Sequence, residues 1–492
     1  MKTLKNFLSL DIGSTCCKAQ MFDEEGNILF YRTSECPLTG EGGEAYADIL
    51  LIRDTIKSLI REAAGIARIH SLAFSSFGES FVLLDGQDRI LTLPMLYTDA
   101  RGRRQAERVA RKYGKDEIYR LTGVMPHAMF SVYKLLWIME NQKERYACAD
   151  KLFLIGDYFG YLLTGKRAID YSLASRTGAF DVRAKKFAEE FLKELDIPRA
   201  LFSSPMPAGS VVGTVLPEAA DEYHLPRDCV LVLGSHDQIC ASLGAGALEA
   251  GAAVDGMGTV ECLTVLFDRL PEDPAFGAKG YPFVPYAVDG LYCTYVLNTT
   301  CGSVVNWFRK KIVRDHRGEE ENFFAYMEKR MGDTPSEVLL LPYFAGAATP
   351  RQDENAKGAF LNLTLGTQDA DLYRAILEGA AYEMRLNMNA VGEFGIAVRE
   401  AIATGGGAKS DRWLQIKADV QGIPYYALRS AEGGLCGLAL LQAVAAGSAK
   451  DLPSAAKIFV KRNRKYLPQK QEGYERNFEK YRKLYDLLKE IN

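Results

Sequence analysis

Between two apolar runs the chain reads "LVLGSHDQICASLGAGA", Leu231 to Ala247, placing Ser235, His236 and Asp237 side by side where a strand meets a helix. Three chemistries fit those residue types: a hydrolytic triad, a metal site, or one working acid with two bystanders. A triad needs a serine presented on a sharp elbow, and the GxSxG pattern of such an elbow is absent. A zinc site needs spaced cysteines or histidines, whereas the ten cysteines here show no CxxC spacing and no histidines nearby. Neighbours at a strand-to-helix junction project in different directions, so a single side chain suffices to face a site. Asp237, a carboxylate, is a candidate proton acceptor, and the same position equally fits a helix N-cap after Gly234, so both readings stay open on the residues alone. Ser235 then shapes the turn, and His236 packs or hydrogen-bonds beside it.

Three glycine-plus-hydroxyl turns add a second chemistry: "DIGST" (Asp11–Thr15), "DGMGTV" (Asp255–Val260) and "TGGGAKS" (Thr404–Ser410). Each follows an apolar strand. Glycine admits close backbone approach, and successive N–H groups form an anion nest, so the turns read as phosphate clamps. Asp11, at a strand end, is placed to hold Mg2+ through water. The named nucleotide motifs fail. "ATGGGAKS" has alanine at both glycine positions of a P-loop, "GAGALE" ends a dinucleotide pattern on Glu249 inside a helix, and the protein-kinase set is missing.

A scaffold must position these turns. The 492 residues exceed one ordinary core and predict two large domains. "FLSLDI", "CCKAQMFD" and "ILFYRT" read as an antiparallel meander, and Tyr46–Gly65 as an amphipathic helix. "HSLAFSSF" and "SFVLLDGQDRIL" read as further strands, helices dominate from Ala100 to about Tyr161, and Pro205–Pro207 marks a loop. "LDIGST" is echoed by "VDGMGT" (Val254–Thr259) with the same Asp-to-Thr spacing, so a βββαβα-type domain starts again near residue 250. The expected division is 1–248 and 249–492, and the terminal "YERNFEKYRKLYDLLKEIN" is expected to cap the surface as an amphipathic helix. A net charge of −3 argues against a nucleic-acid partner. No run of 18 apolar residues predicts a membrane span, the start of the chain reads as a strand and not a signal peptide, and unpatterned cysteines fit a cytoplasmic protein.

Several segments together resemble one family. "MFSVYKLLWIMEN" (Met129–Asn141), with Lys134 and Trp137, resembles the first signature of the FGGY carbohydrate kinases. "GAFLNLTLGTQDADLYRAILEG" (Gly358–Gly379) resembles the second, with Asp371, Ala375 and Glu378 in place and a departure at Asn362, where the family has glycine. "YTDAR" (Tyr97–Arg101), "DYSLASRTGAFD" (Asp170–Asp181) and "ATGGGAKSDRWLQIKADVQGIP" resemble other family segments in the same order. The resemblance implies an α/β protein of two ribonuclease-H-like (actin-like) domains with a duplicated βββαβα core, binding ATP and a sugar in an interdomain cleft whose closure excludes water. It implies that Gly13, Ser14 and Thr15 form one ATP phosphate loop with the ATP-binding Lys18 on its outgoing strand, Gly258 and Thr259 a second, and Gly405, Gly406, Gly407 and Lys409 the adenosine loop. Asp11 would serve Mg2+ and Asp237 would be the catalytic base. Phe77, Gly78, Glu79, Tyr97, Met129, His236 and Asp237 fall at sugar-contact positions. Trp137 reads as core packing, and Asp255 as a structural repeat of Asp11.

The implied substrate is a ketose, such as a pentulose or deoxyhexulose. Gluconate or another polyol is the alternative. Glycerol fits less well because Gly78 stands where glycerol kinases carry arginine. A homodimer is what the family suggests. From a different class, a non-kinase actin-like ATPase would keep the phosphate loops but need no sugar segment.

Overall fold

The computed structural model describes residues 4–38, 44–313, 320–428 and 432–490. The chain forms two compact units, one of residues 1–248, 283–292 and 432–460, the other of 249–282, 293–431 and 461–492.

The first unit is built on strands β1 (Asn6–Ile12), β2 (Cys16–Asp23), β3 (Ile28–Glu35), β4 (Ser71–Ser76), β5 (Val211–Thr214) and β6 (Val230–Val232). Their order in a six-stranded sheet is β5-β6-β4-β1-β2-β3. The meander β1–β3 is antiparallel, while β1, β4 and β6 run parallel. Residues on β1 and β4 are buried almost throughout, as strands covered on both faces must be. Helix α1 (Ile49–Ala64) starts at Asp48, whose side chain accepts the Leu50 and Leu51 N–H groups, and lays Ile52, Ile56, Leu59 and Ile60 on that sheet. Four further helices serve the site: α2 (Ser131–Asn141), α3 (Tyr171–Ser175), α4 (Asp237–Gly244) and, from late in the chain, α7 (Gly433–Ala445).

The second unit repeats the plan. Strands β7 (Ala252–Met257), β8 (Glu261–Phe267), β9 (Tyr292–Asn298), β10 (Glu400–Thr404), β11 (Tyr425–Leu428) and β12 (Arg462–Tyr466) lie in the order β9-β8-β7-β10-β11-β12. Here too the first strand pairs antiparallel with the second and parallel with β10, and β12 closes the edge antiparallel to β11. Helices α5 (Asp369–Gly392), α6 (Asp411–Gln421) and α8 (Glu472–Lys489) cover it. The α8 stripe of Tyr474, Phe478, Tyr481 and Tyr485 is buried in this unit's core, each ring contributing about 1.5–3 kcal/mol. The duplicated α/β pattern anticipated from the Asp11 and Asp255 echo is therefore present.

Two local expectations need correction. Ser204–Met206 is a short strand, parallel to Ala168–Asp170, because a two-stranded edge tolerates the missing N–H of Pro205. "GAGALE" leaves a helix instead of lying inside one, since only its first residue, Gly244, belongs to α4 and Gly246 takes a left-handed φ of 82°. Asn362, which stands where the family has glycine, adopts a φ of 64°, a conformation asparagine tolerates better than most residues.

Candidate active site

Strand β6 delivers the chain to α4 through a turn only glycine can make. A Cβ on Gly234 would lie 1.9 Å from the Phe74 carbonyl oxygen. Beyond it, Ser235 Oγ sits 2.8 Å from Asp170 Oδ2 and 2.6 Å from Ser172 Oγ, and the His236 N–H donates to Ser172 Oγ at 3.1 Å. This buried cluster fixes the turn, so Ser235 is a structural hydroxyl. His236, not Asp237, occupies the N-cap position, and Asp237 is the first helical residue. Its Oδ1 accepts from the Gln238 N–H at 2.6 Å and lies 3.2 Å from His236 Nε2.

Electrostatics separate these two neighbours. Burial, followed by the charge of Asp11, pushes the Asp237 carboxyl up to about 7, with Glu79 adding to the rise and Arg176 opposing it. Burial and the Arg176 charge hold His236 well below its ordinary value, so its ring is neutral. The Asp237 side chain keeps about a third (34%) of its surface open, against 9% for His236. An acid near 7 with an accessible oxygen can take a proton at neutral pH.

Asp11 ends β1. Ser75, opposite it on β4, donates to Asp11 Oδ1 at 2.6 Å, and burial raises the carboxyl. Lys18, its cross-strand partner on β2, turns to Glu432 Oε2 at 2.8 Å, and Tyr31 donates to Glu432 Oε1 at 3.1 Å. Lys18 is therefore anchored and only partly exposed. Between the strands, the Gly13 N–H bonds to the Cys16 carbonyl at 2.9 Å, leaving Ser14 and Thr15 at the hairpin tip.

The sugar-contact positions divide. Phe77 packs its side chain into the first unit's core, so only its backbone is left for a ligand. Glu79, though buried, adopts a φ of 62°, a costly backbone state for a non-glycine residue. Its backbone carbonyl accepts from Ser131 Oγ at 2.7 Å and its Oε1 from Arg176 Nε at 2.6 Å. Tyr97 is exposed (42%) and Met129 half-buried, so neither is core. The signature lysine holds both segments: Lys134, buried on α2, donates to the carbonyls of Leu96 at 2.5 Å and Met129 at 3.1 Å. Burial pulls its ammonium down to about 8. Trp137 is half-buried and stacks under the Arg101 guanidinium at 5.2 Å, contrary to a purely core role.

In the second unit, Gly258 and Thr259 form the exposed tip of the β7–β8 hairpin. The Gly302 and Ser303 N–H groups bond to their carbonyls at 2.9 and 3.1 Å. Gly405, with a φ of 83°, and Gly407 press against Met257, where added Cβ atoms would stand 2.8 and 2.9 Å from its atoms. The structure thus brings the 258–259 and 405–407 loops together. Gly406 and Lys409 lie exposed beside them. Asp255 takes another course from Asp11. It is fully buried, ion-paired to Lys417 at 2.8 Å, and accepts from Tyr425 OH at 3.0 Å, while Lys417 also reaches Glu261. Where Asp11 faces Ser75 across the parallel pair, Asp255 faces Ala403.

Arg176, Lys417, Glu432 and Asp170 do not stand out as site residues in the sequence. Asp170 and Arg176 lie within the quoted "DYSLASRTGAFD" segment and Lys417 within "LQIKADV", so their segments are visible but their partners, far away in sequence, are not.

Models of the FGGY family of carbohydrate kinases match the chain twice, the N-terminal domain over residues 6–244 and the C-terminal domain over 257–446. The chain belongs to this family. It is an FGGY kinase, an ATP-dependent carbohydrate kinase of the two-domain actin-like α/β fold. Family membership displaces the reading as a non-kinase ATPase. A xylulose kinase of Bacillus subtilis is 24% identical over 99% of this chain and 97% of its own. A gluconokinase of the same organism is 26% identical over 89% and 87%. The crystal structure of a xylulose kinase from Rhodospirillum rubrum superposes with a TM-score of 0.91 at 23% identity, covering 99% of both chains. Among the described residues no helix is long and apolar enough to cross a membrane.

Proposed function

We propose that this FGGY kinase phosphorylates a ketose, a pentulose or deoxyhexulose, with Asp237 as the base. The observation that carries the reading is Asp237 itself, held at about 7 with an open oxygen beside Glu79, Arg176 and Asp11. Asp237 takes the proton of a primary sugar hydroxyl as that oxygen attacks the γ-phosphorus of ATP, the bond to the β,γ-bridging oxygen breaks and ADP leaves. Glu79, with Gly78, Tyr97, Met129 and His236, binds and orients the sugar, with Phe77 contributing backbone only. Orientation of this kind turns a bimolecular encounter into a unimolecular step.

The backbone N–H groups near Ser14, Thr15, Gly258 and Thr259 hold phosphate oxygens, and Gly405–Gly407 with Lys409 hold the adenosine. Residues 1–248 carry the sugar functions and 249–492 the adenosine functions in this reading. Asp11 suits a hydrated hard cation: it offers a carboxylate oxygen besides the one that accepts from Ser75, and Lys18 is ion-paired to Glu432, so a cation there would keep most of its water. Mg2+ held there would neutralise phosphate charge when bound.

Xylulose kinases among the relatives favour the ketose, and the gluconokinase keeps the sugar acid as the second reading. The enzyme is proposed to be cytoplasmic and homodimeric, as the family suggests. ADP release measured against a panel of ketoses, polyols and sugar acids decides the substrate. Turnover confined to sugar acids, or to glycerol, would overturn the ketose assignment.

A further inference from the structure

Arg176 is 97 residues from Glu79 in sequence, yet its Nε and Nη2 both donate to Glu79 Oε1. The two bonds converge on that one carboxylate oxygen, and Oε2 accepts neither. Both side chains are buried. Because a buried ion pair is weak evidence for stability, apolar side chains of similar size often serving as well, its presence calls for another reason. The surroundings supply one. Arg176 stacks over the Phe130 ring at 5.3 Å and passes through space that exists only because residue 78 is glycine. A Cβ on Gly78 would lie 2.8 Å from Arg176 Cγ, 3.0 Å from its Cβ and 3.2 Å from His236 Cδ2. The Glu79 backbone is separately pinned, by Ser131 Oγ on its carbonyl.

We propose that Arg176 is a positioning residue for the sugar, clamping Glu79 by one carboxylate oxygen so that the other meets a substrate hydroxyl, and that Gly78 is the vacancy that admits it. Glu79 is thus held at three points, by its left-handed backbone, by Ser131 and by Arg176. An acceptor fixed in this way loses little freedom when the sugar arrives. The arrangement makes residues 78 and 176 a matched pair. A side chain at 78 excludes the guanidinium, and loss of the guanidinium leaves the Glu79 carboxylate unanchored. The inference rests on Glu79 being the sugar acceptor.

The test uses the full-length enzyme with whichever sugar gives turnover, and compares Arg176→Met, Arg176→Lys, Gly78→Ala, Glu79→Gln and Arg176→Met/Glu79→Gln. Arg176→Met is expected to raise the sugar KM roughly 10- to 100-fold and leave the ATP KM within about twofold, the scale of one lost charge-assisted hydrogen bond. Arg176→Lys should restore part of the loss. Gly78→Ala should reproduce it, because it displaces the guanidinium without removing its charge. The double variant should be no worse than Glu79→Gln alone if the arginine acts through Glu79. It also removes the unpaired buried carboxylate, so it serves if the single variant does not fold. An unchanged sugar KM, an ATP KM rising in step, or additive losses in the double variant would each overturn the proposal. A parent enzyme inactive on every sugar would refute the functional reading instead.

Discussion

His236 Nε2 lies 3.2 Å from Oδ1 of Asp237, the residue that follows it, yet the two occupy opposite electrostatic positions. The ring is neutral, and the carboxylate is the partner able to take a proton. Asp237→Asn should lower kcat by about 10²- to 10⁴-fold, the usual worth of a general base. Nucleotide affinity, read by titration calorimetry, should stay close to the parent value. His236→Asn should cost far less. Near-normal turnover in Asp237→Asn would remove Asp237 from the mechanism.

The pH profile follows from the same carboxyl. A base held at about 7 is unprotonated above that value, so kcat/KM for the sugar should climb through pH 7 and level off. The stability sign is opposite. The folded state binds this proton more tightly than the unfolded chain, whose value is near 3.8, so the group's contribution is fully present below 3.8 and lost as pH rises through about 7. The urea midpoint of Asp237→Asn should therefore fall less than that of the parent between those values. A flat activity profile across neutrality would contradict the assignment.

Lys417 is ion-paired with two buried carboxylates, Asp255 and Glu261, of which burial pushes Glu261 up to about 7. Lys417→Met should destabilise the protein by about 3–5 kcal/mol, since it leaves charge buried without a partner. Combining it with Asp255→Asn and Glu261→Gln should recover most of that loss in urea unfolding. Equal stability of the parent and the single variant would mean that the triad carries no net charge to balance.

Helices α4 and α7 meet through glycines. A Cβ on Gly437 would fall 2.0 Å from the Cys240 carbonyl oxygen, and one on Gly244 1.9 Å from that of Gly433. Gly437→Ala must push the two helix backbones apart, and a loss above about 3 kcal/mol is expected, as for other overpacked contacts. Gly86→Ala, which meets nothing within 4 Å, is the matched control and should leave the thermal midpoint within a few degrees of the parent. If both variants melt alike, the close contact is not where the stability lies.

Much of the scaffold is legible locally. The Asp11 hairpin announces itself because an apolar run, a glycine turn and a second apolar run are contiguous, and α1 because Asp48 and Gly65 flank its apolar period. Phe77 is legible as a strand neighbour but not as a core residue. Which face a side chain takes depends on the end of β4 and the turn at Glu79. Arg176 and Lys417 are hidden for a common reason. A cation in a helical segment reads as solvated until the topology brings acids from remote strands around it. Glu432 is hidden likewise, as its partners Lys18 and Tyr31 sit some 400 residues earlier.

The late helix α7 lies in a core with residues from the first strands. Leu438, Leu440 and Leu441 share a buried cluster with Phe7, Phe22, Ala73 and Val232, and Gln442 accepts from Ser71 Oγ at 2.8 Å. During synthesis, one face of the first sheet is therefore complete but uncovered while roughly 200 more residues are translated, a wait of about 10–40 s at ordinary elongation rates. The nascent chain carries exposed phenylalanines through that interval. A ribosome stalled before residue 433 holds a first unit that cannot close, which makes this enzyme's maturation a matter of translation time as well as sequence.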